Sequence, residues 1–360
     1  MRYYGRSNYD HPSPALTGIL LTNVGTPTAP TPQAVRPYLG QFLGDPRIIE
    51  YPRWIWWLLL NLIILNTRPR RSARLYQNVW TKEGSPLLVN LQRQADALQQ
   101  QLQERTGVQI PVAIGMRYGL PTIQGAMRQL DQAGVRRLLI FPLYPQYSAT
   151  TTATAMDGVL GELQHWRWQP ELRTIMHYHD HPGYIAALVN SVQEYWQTHG
   201  KAERMLFSFH GIPKRYFKNG DPYFCECQKT ARLLAAGLGL TEGDYGVSFQ
   251  SRFGPEEWLK PYTDKTLEEW GHQGVRSVQV LAPGFSGDCL ETIDELGREG
   301  KETFLEAGGQ SFAYIPALND RPDHIKTLAD LVQQHLQGWE LVEQLDAQPH
   351  YQAFQARPHA

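Results

Sequence analysis

Cysteine is scarce: Cys225, Cys227 and Cys289 are the only three in 360 residues. Three thiols cannot all pair, which excludes a disulfide scaffold and fits a reducing compartment. Net charge is nearly absent as well. The 34 lysines and arginines are balanced by 35 acids, leaving -1, and no basic run interleaves with aromatics, so nucleic acid is not an expected partner. The opening stretch MRYYGRSNYDHPSPA has neither an apolar core nor a small-residue cleavage pattern, so nothing in it directs export and a cytoplasmic location is expected. No apolar run reaches the roughly 20 residues of a spanning helix.

What is present begins with size and apolar content: 42% hydrophobic residues over this length supply cores for two compact domains. The most apolar segment, WIWWLLLNLII at 54–64, is too short to cross a bilayer. Arg47 and Arg53 precede it and Arg68, Arg70, Arg71 and Arg74 follow it. That layout suits a helix lying in a headgroup plane with tryptophans at the boundary, or a buried core helix.

Two halves of the chain echo each other in order. LLTNVGTP (20–27) matches LFSFHGIP (206–213), MRYG (116–119) matches SRFG (251–254), and GVRRLLIFP (134–142) matches GVRSVQVLAP (274–283). Each piece is a β-branched or aromatic run ending in glycine or proline, the pattern of a buried strand feeding a loop. Helical patterns fall between them at Leu87–Thr106, Thr122–Ala133, Tyr184–Thr198, Thr230–Leu238 and Asp264–Trp270. Alternating strands and helices predict an α/β fold: two similar, doubly wound domains, each a parallel sheet flanked by helices, with a cleft between them.

Spacing inside the repeat locates the apolar segment. Gly25 and Gly119 are 94 positions apart and Gly211 and Gly254 only 43, so the first half carries an insertion of 51 residues. Ligands of open parallel sheets bind beyond the carboxyl ends of the strands, which places the inserted segment at the rim of a cleft. In the second half the first strand runs into His210 at that same end, where an imidazole can accept a proton or ligate a metal. The loop GFSGDCLETIDELG (284–297) puts Asp288, Glu291 and Glu295 at i, i+3 and i+7, three carboxylates on one face of an α-helix. Acids in a first helical turn also complement the helix dipole. A histidine and an acidic row across one cleft suit proton transfer or capture of a divalent cation.

LFSFHGIP, GDPY (220–223), FQSRFGPEEWLKP (249–261), FPLYPQYSATTTAT (141–154) and CLETIDEL (289–296) together resemble the ferrochelatases, from about Thr17 to about Val332. The resemblance implies a chelatase-type fold and a lyase that inserts ferrous iron into protoporphyrin IX at the last step of haem synthesis, releasing two protons. It carries over His210 as proton acceptor or iron ligand and Glu291 as the essential glutamate, with Asp288 and Glu295 as a relay. Val24, Tyr76, Arg117, Tyr118 and Trp258 are carried over as porphyrin contacts. Trp54, Trp56, Trp57 and Leu58 become a hydrophobic lip in peripheral contact with the inner membrane surface, and the preceding porphyrin-forming oxidase becomes a partner. Ferrous iron is substrate, and no cofactor is expected to stay bound. Three cysteines are too few for the four-cysteine iron-sulfur cluster of some members.

Two positions depart from the family pattern. Cys289 stands where some relatives carry histidine, so a proton relay there is not carried over. Val24, the repeat partner of His210, stands where others carry methionine or tyrosine, so it offers an apolar contact without ligation. The FCEC pair is read as free thiols, because zinc motifs space their cysteines more widely. The expected layout is a tail at 1–14, an N-terminal domain at 15–155 with the lip insertion at 36–86, and a C-terminal domain at 156–315. A helix within 316–343 packs back on the first domain, and a second tail covers 344–360. A chelatase for coproporphyrin or cobalt, and a non-catalytic tetrapyrrole carrier, are the competing functions. The acidic row disfavours the carrier.

Overall fold

The structure, a computed structural model, describes residues 3–6, 9 and 13–343. Strands β1 (Ala15–Thr26), β2 (Val112–Gly119), β3 (Val135–Pro142) and β4 (Glu171–Thr174) form one parallel sheet in the order β2-β1-β3-β4. Strands β5 (Arg204–His210), β6 (Tyr245–Gln250), β7 (Ser277–Leu281) and β8 (Ser311–Ile315) form a second parallel sheet in the same relative order, β6-β5-β7-β8. Strand β9 (Val342–Glu343) adds antiparallel to the start of β1. The duplication read from the motifs is therefore a duplication of topology.

Helices cover both faces of each sheet, which is why the central strands are apolar without alternation. Leu20, Ala113 and Ile140 face Met127 and Val159 on one side of the first sheet. On the other side Ile19, Leu21 and Phe141 belong to a cluster that continues through Phe207, Leu234 and Leu328, so the two halves share one core. Helix Pro322–His335 packs into that seam, and its Asp330 and Gln333 accept hydrogen bonds from Arg105 of helix Pro86–Thr106 at 2.7 and 2.8 Å.

The first sheet extends beyond the expected boundary at residue 155. Helix Thr154–Leu163 lies on it and β4 closes its edge. β4 is four residues, Glu-Leu-Arg-Thr, with no apolar run to reveal it. The first tail is also partly docked: Tyr4 donates its N–H to the His165 carbonyl at 2.7 Å, and its ring lies 5.2 Å from that of Trp166. The expected second tail at 344–360 lies outside the described residues. Helix Tyr223–Gly237 starts seven positions before the expected Thr230, through the aromatic and thiol run YFCECQ that carries no helical period.

Between β1 and helix Pro86–Thr106, the insertion folds as helix Pro32–Gly44, helix Arg53–Leu59, a π-helical turn Leu60–Ile64 and helix Leu65–Val79. At its root Gly25 has φ +113°, and a Cβ there would stand 1.8 Å from the Tyr118 carbonyl oxygen. Only glycine lets the ends of β1 and β2 close so tightly at the floor of the cleft.

Candidate active site

The carboxyl ends of β1 and β5 face one cleft. Its wall includes Val24 from the end of β1, His210 from the end of β5, and Glu291, Tyr76 and Trp258. Sequence reasoning thus named five residues that the fold brings together. The cleft encloses about 1210 Å³ of space continuous with solvent, and no lysine or arginine lines it among the described residues. Tyr38, Phe42, Tyr144, Gln146 and Phe253 also line it and were not singled out. Tyr144 and Gln146 stand inside the quoted stretch FPLYPQYSATTTAT, where that signal was available; Tyr38 and Phe42 lie in the insertion, which has no repeat partner to flag them.

The state of His210 follows from one hydrogen bond. Its Nδ1 lies 2.6 Å from the Gly211 carbonyl oxygen, which can only accept. Nδ1 therefore carries the proton of the neutral ring, and Nε2 keeps its lone pair. That nitrogen is the one free to take a proton or a metal.

Three other titratable groups near Glu291, Tyr38, Tyr76 and Cys289, are held protonated. Burial pushes the Tyr38 and Tyr76 phenols and the Cys289 thiol up, and the nearby Glu291 carboxylate pushes each further. They are donors beside Glu291 and not competing bases. Cys289 is buried and inert as a nucleophile in this state.

The ferrochelatase family model matches residues 16–336. The chain belongs to the ferrochelatase family. It is 53% identical over 353 residues to a ferrochelatase of Thioalkalivibrio sulfidiphilus, covering 98% of this chain and 94% of the relative. It is also 53% identical over 339 residues to one of Nitrosococcus oceani, covering 94% and 92%. Among solved structures, a multi-domain protein of Deinococcus radiodurans described as structurally similar to chelatases shares the fold. There the TM-score is 0.50 at 13% identity, across 94% of this chain and 59% of that one.

Within this ferrochelatase fold, Arg117 and Tyr118 do not line the cleft. Arg117 donates to Asp45 Oδ2 at 2.7 Å and to Thr154 Oγ1 at 2.8 Å, and the Tyr118 hydroxyl donates to Asp45 Oδ2 at 2.9 Å. Burial opposes ionisation of Asp45, yet hydrogen bonds from Thr154, the Arg47 backbone and Tyr118, with the Arg117 charge, hold its carboxyl below the usual range. The pair stands one layer behind the wall, where the Tyr118 ring meets Phe42 at 5.3 Å. Asp45, from the insertion, draws both side chains to itself.

The acidic row is also rearranged. Residues Glu291–Gly300 form a π-helix, whose wider turn stacks residues four apart. Asp288 precedes it and leaves the row. Its carboxylate accepts from Tyr314 at 2.8 Å, Thr292 at 2.9 Å, Asn319 at 2.8 Å and the Ala317 N–H at 3.3 Å. So saturated, Asp288 fastens the 284–290 loop to the end of β8.

Glu295 remains beside Glu291. Burial raises its pKa to about 7 against hydrogen bonds from the Ser251 N–H at 2.7 Å and the Ser251 hydroxyl, and the Glu291 charge adds to the rise. In the unfolded chain this carboxyl ionises at the ordinary value near 4.5. Between the two values the folded state binds more protons, so this group's contribution to stability falls as pH climbs from about 4.5 to about 7. Glu295→Gln keeps an acceptor for the Ser251 N–H and removes the buried charge. It is expected to stabilise the protein by on the order of 1–3 kcal/mol at pH 8 and to change little at pH 4.5. Thermal melts at both pH values check this; an equal shift at both, or destabilisation at pH 8, contradicts it.

The lip is exposed where the sequence placed it, with one exception. Trp54 and Trp57 are 71% and 61% exposed, and Leu58, Leu62 and Ile63 join them. Trp56 instead turns inward and donates its indole N–H to the Leu43 carbonyl at 2.6 Å. With Leu60, four positions on, it forms the buried stripe that anchors the segment, as helical spacing requires.

Proposed function

We propose that this cleft inserts ferrous iron into protoporphyrin IX to give protohaem and two protons, with the macrocycle held between Val24 and His210. Nε2 of His210 is available to draw off a pyrrole proton or to receive the metal, one role at a time, because it has one lone pair. Glu291 supplies a carboxylate among neutral donors, where a divalent cation is attracted and a released proton can be shared. Glu295, poised near neutral pH, then receives protons from Glu291 and passes them outward. The apolar wall binds the flat face of the ring, and that binding energy is available to distort it towards metalation.

The observation that carries this reading is the pairing of His210 Nε2 and Glu291 in an apolar cleft that no lysine or arginine lines. A sirohydrochlorin site needs cations for many carboxylates; protoporphyrin has two propionates that can lie at the mouth. Arg68 is one candidate for them: it is exposed, and its guanidinium lies 5.5 Å from the Phe253 ring, which lines the cleft. Anaerobic turnover of protoporphyrin, coproporphyrin and sirohydrochlorin with ferrous iron tests the substrate. Protoporphyrin is expected to give the highest kcat/KM, and a preference for sirohydrochlorin would overturn the reading.

The exposed lip supports reversible membrane contact on the cytoplasmic face, from which a lipophilic porphyrin can enter. No helix among the described residues is long and apolar enough to cross a membrane. Replacing Trp54 and Trp57 together by serine is expected to weaken binding to anionic vesicles by about tenfold or more, leaving turnover of detergent-dispersed porphyrin within about twofold. Vesicle co-sedimentation alongside the turnover assay reads both. Unchanged vesicle binding contradicts the lip's role. A porphyrin-forming oxidase is a natural donor to the same surface.

A further inference from the structure

A second cluster of metal-ligating side chains lies away from the cleft, on the seam between the halves. His177 and His179 follow β4, and Glu226 projects from helix Tyr223–Gly237 of the second half. One ligand atom from each lies within 4.8 Å of the other two. Nδ1 of His177 is 2.7 Å from Glu226 Oε1, and Nδ1 of His179 is 3.2 Å from Oε2. Two ligands held at about 2.0–2.1 Å from a tetrahedral zinc stand roughly 3.3 Å apart, so side-chain shifts on the order of 1 Å convert this cluster into a coordination sphere.

Hydrogen bonding accounts for only one arm of the cluster, the His177 Nδ1 to Glu226 Oε1 contact at 2.7 Å. His179 is 5% exposed, and its Nδ1 is buried without a hydrogen-bond partner despite the nearby carboxylate oxygen. That oxygen already accepts the Tyr147 N–H at 2.7 Å. A nitrogen and an oxygen thus approach each other with no well-directed proton between them, at a site where burial makes an unmet polar atom costly. A cation shared by the three groups removes that cost. The Lys229 ammonium, one turn along the helix, is engaged by Asp180 and does not compete for Glu226.

We propose that His177, His179 and Glu226 form a second divalent-metal site, distinct from the substrate cleft, for a borderline ion of the zinc, cobalt or ferrous class. Two imidazoles and one carboxylate are the donors such ions take. His177 is 52% exposed in its side chain, so the fourth position opens to water and the ion exchanges with solvent. Occupancy ties three segments together. Glu226 holds the Tyr147 N–H, Asp221 just before the same helix accepts from Ser148 and the Ala149 N–H, and Thr150 and Thr151 of that loop line the cleft. A metal here stiffens the loop that forms one wall of the active site.

Cobalt(II) titration of the full chain, followed by visible absorption and equilibrium dialysis, tests the site. His210→Ala/Glu291→Gln removes the cleft ligands, and this variant is expected to keep one cobalt per chain that zinc displaces. Adding His177→Ala is expected to weaken that binding by about tenfold or more. The half-exposed His177 side chain can be removed without opening the core, and an unchanged metal-free melting curve confirms that the variant is folded. Glu226→Gln, which keeps an acceptor for Tyr147, is the second variant and is expected to show the same loss. The proposal is overturned if the cleft-disabled chain binds neither cobalt nor zinc, or if both ions bind the His177→Ala and Glu226→Gln variants as tightly as their parent.

Discussion

His210→Ala is expected to lower kcat for haem formation by about 10²–10⁴-fold, the range typical of a lost general base, with protoporphyrin affinity changed by less than about threefold. The Gly211 carbonyl fixes hydrogen on Nδ1, so in the neutral ring the lone pair stands on Nε2. Alanine removes that lone pair and leaves Val24, Tyr76 and Trp258 of the cleft wall in place. Stopped-flow absorbance for turnover and fluorescence quenching for porphyrin binding separate the two effects. A variant that binds porphyrin poorly but turns it over at the normal rate contradicts the assignment.

Glu291→Gln is expected to cost about 10²-fold or more in kcat at saturating porphyrin, with the KM for iron raised. Glutamine preserves size and hydrogen bonding and removes the charge. Its neighbours Tyr38, Tyr76 and Cys289 are all held protonated, so none of them replaces the lost carboxylate. Glu295, a turn further along the π-helix, is not among the residues that line the cleft and does not stand in for Glu291 there. Because the two groups act in one step, the double variant with His210→Ala is expected to be little worse than the weaker single one. Full additivity of the two losses contradicts a shared step.

The features legible in the sequence were those written as repeats. LLTNVGTP and LFSFHGIP share a strand pattern and a glycine, and this was enough to place Val24 and His210 at corresponding strand ends on one cleft. The mismatch in spacing located the insertion, and its composition marked the exposed lip. What the sequence hid depends on choices made by tertiary packing. Trp56 differs from Trp57 only by a rotation of one residue, and which one turns inward depends on where the Leu43 carbonyl lies. The π-helix at Glu291–Gly300 has no composition of its own, so an α-helical spacing put Asp288 into a row that it leaves. Arg117 and Tyr118 read as ring contacts because the pair matches a motif, yet Asp45, itself in the insertion and 72 positions from Arg117, takes both. Residues of the unrepeated insertion, such as Tyr38, had no partner in the other half to single them out. The short polar edge strand β4 lacked the apolar signal of the matched motifs, and β8, the other edge strand, has no counterpart among those motifs either.

The most direct test of the account is anaerobic mixing of the chain with protoporphyrin and ferrous iron, recorded as the change from free-porphyrin to haem absorbance. His210→Ala and Glu291→Gln are run beside the unaltered protein. The account predicts rapid haem formation by the unaltered chain, and porphyrin binding without metalation by both variants. Tight porphyrin binding with no metalation by the unaltered chain would contradict it and make the cleft a carrier's.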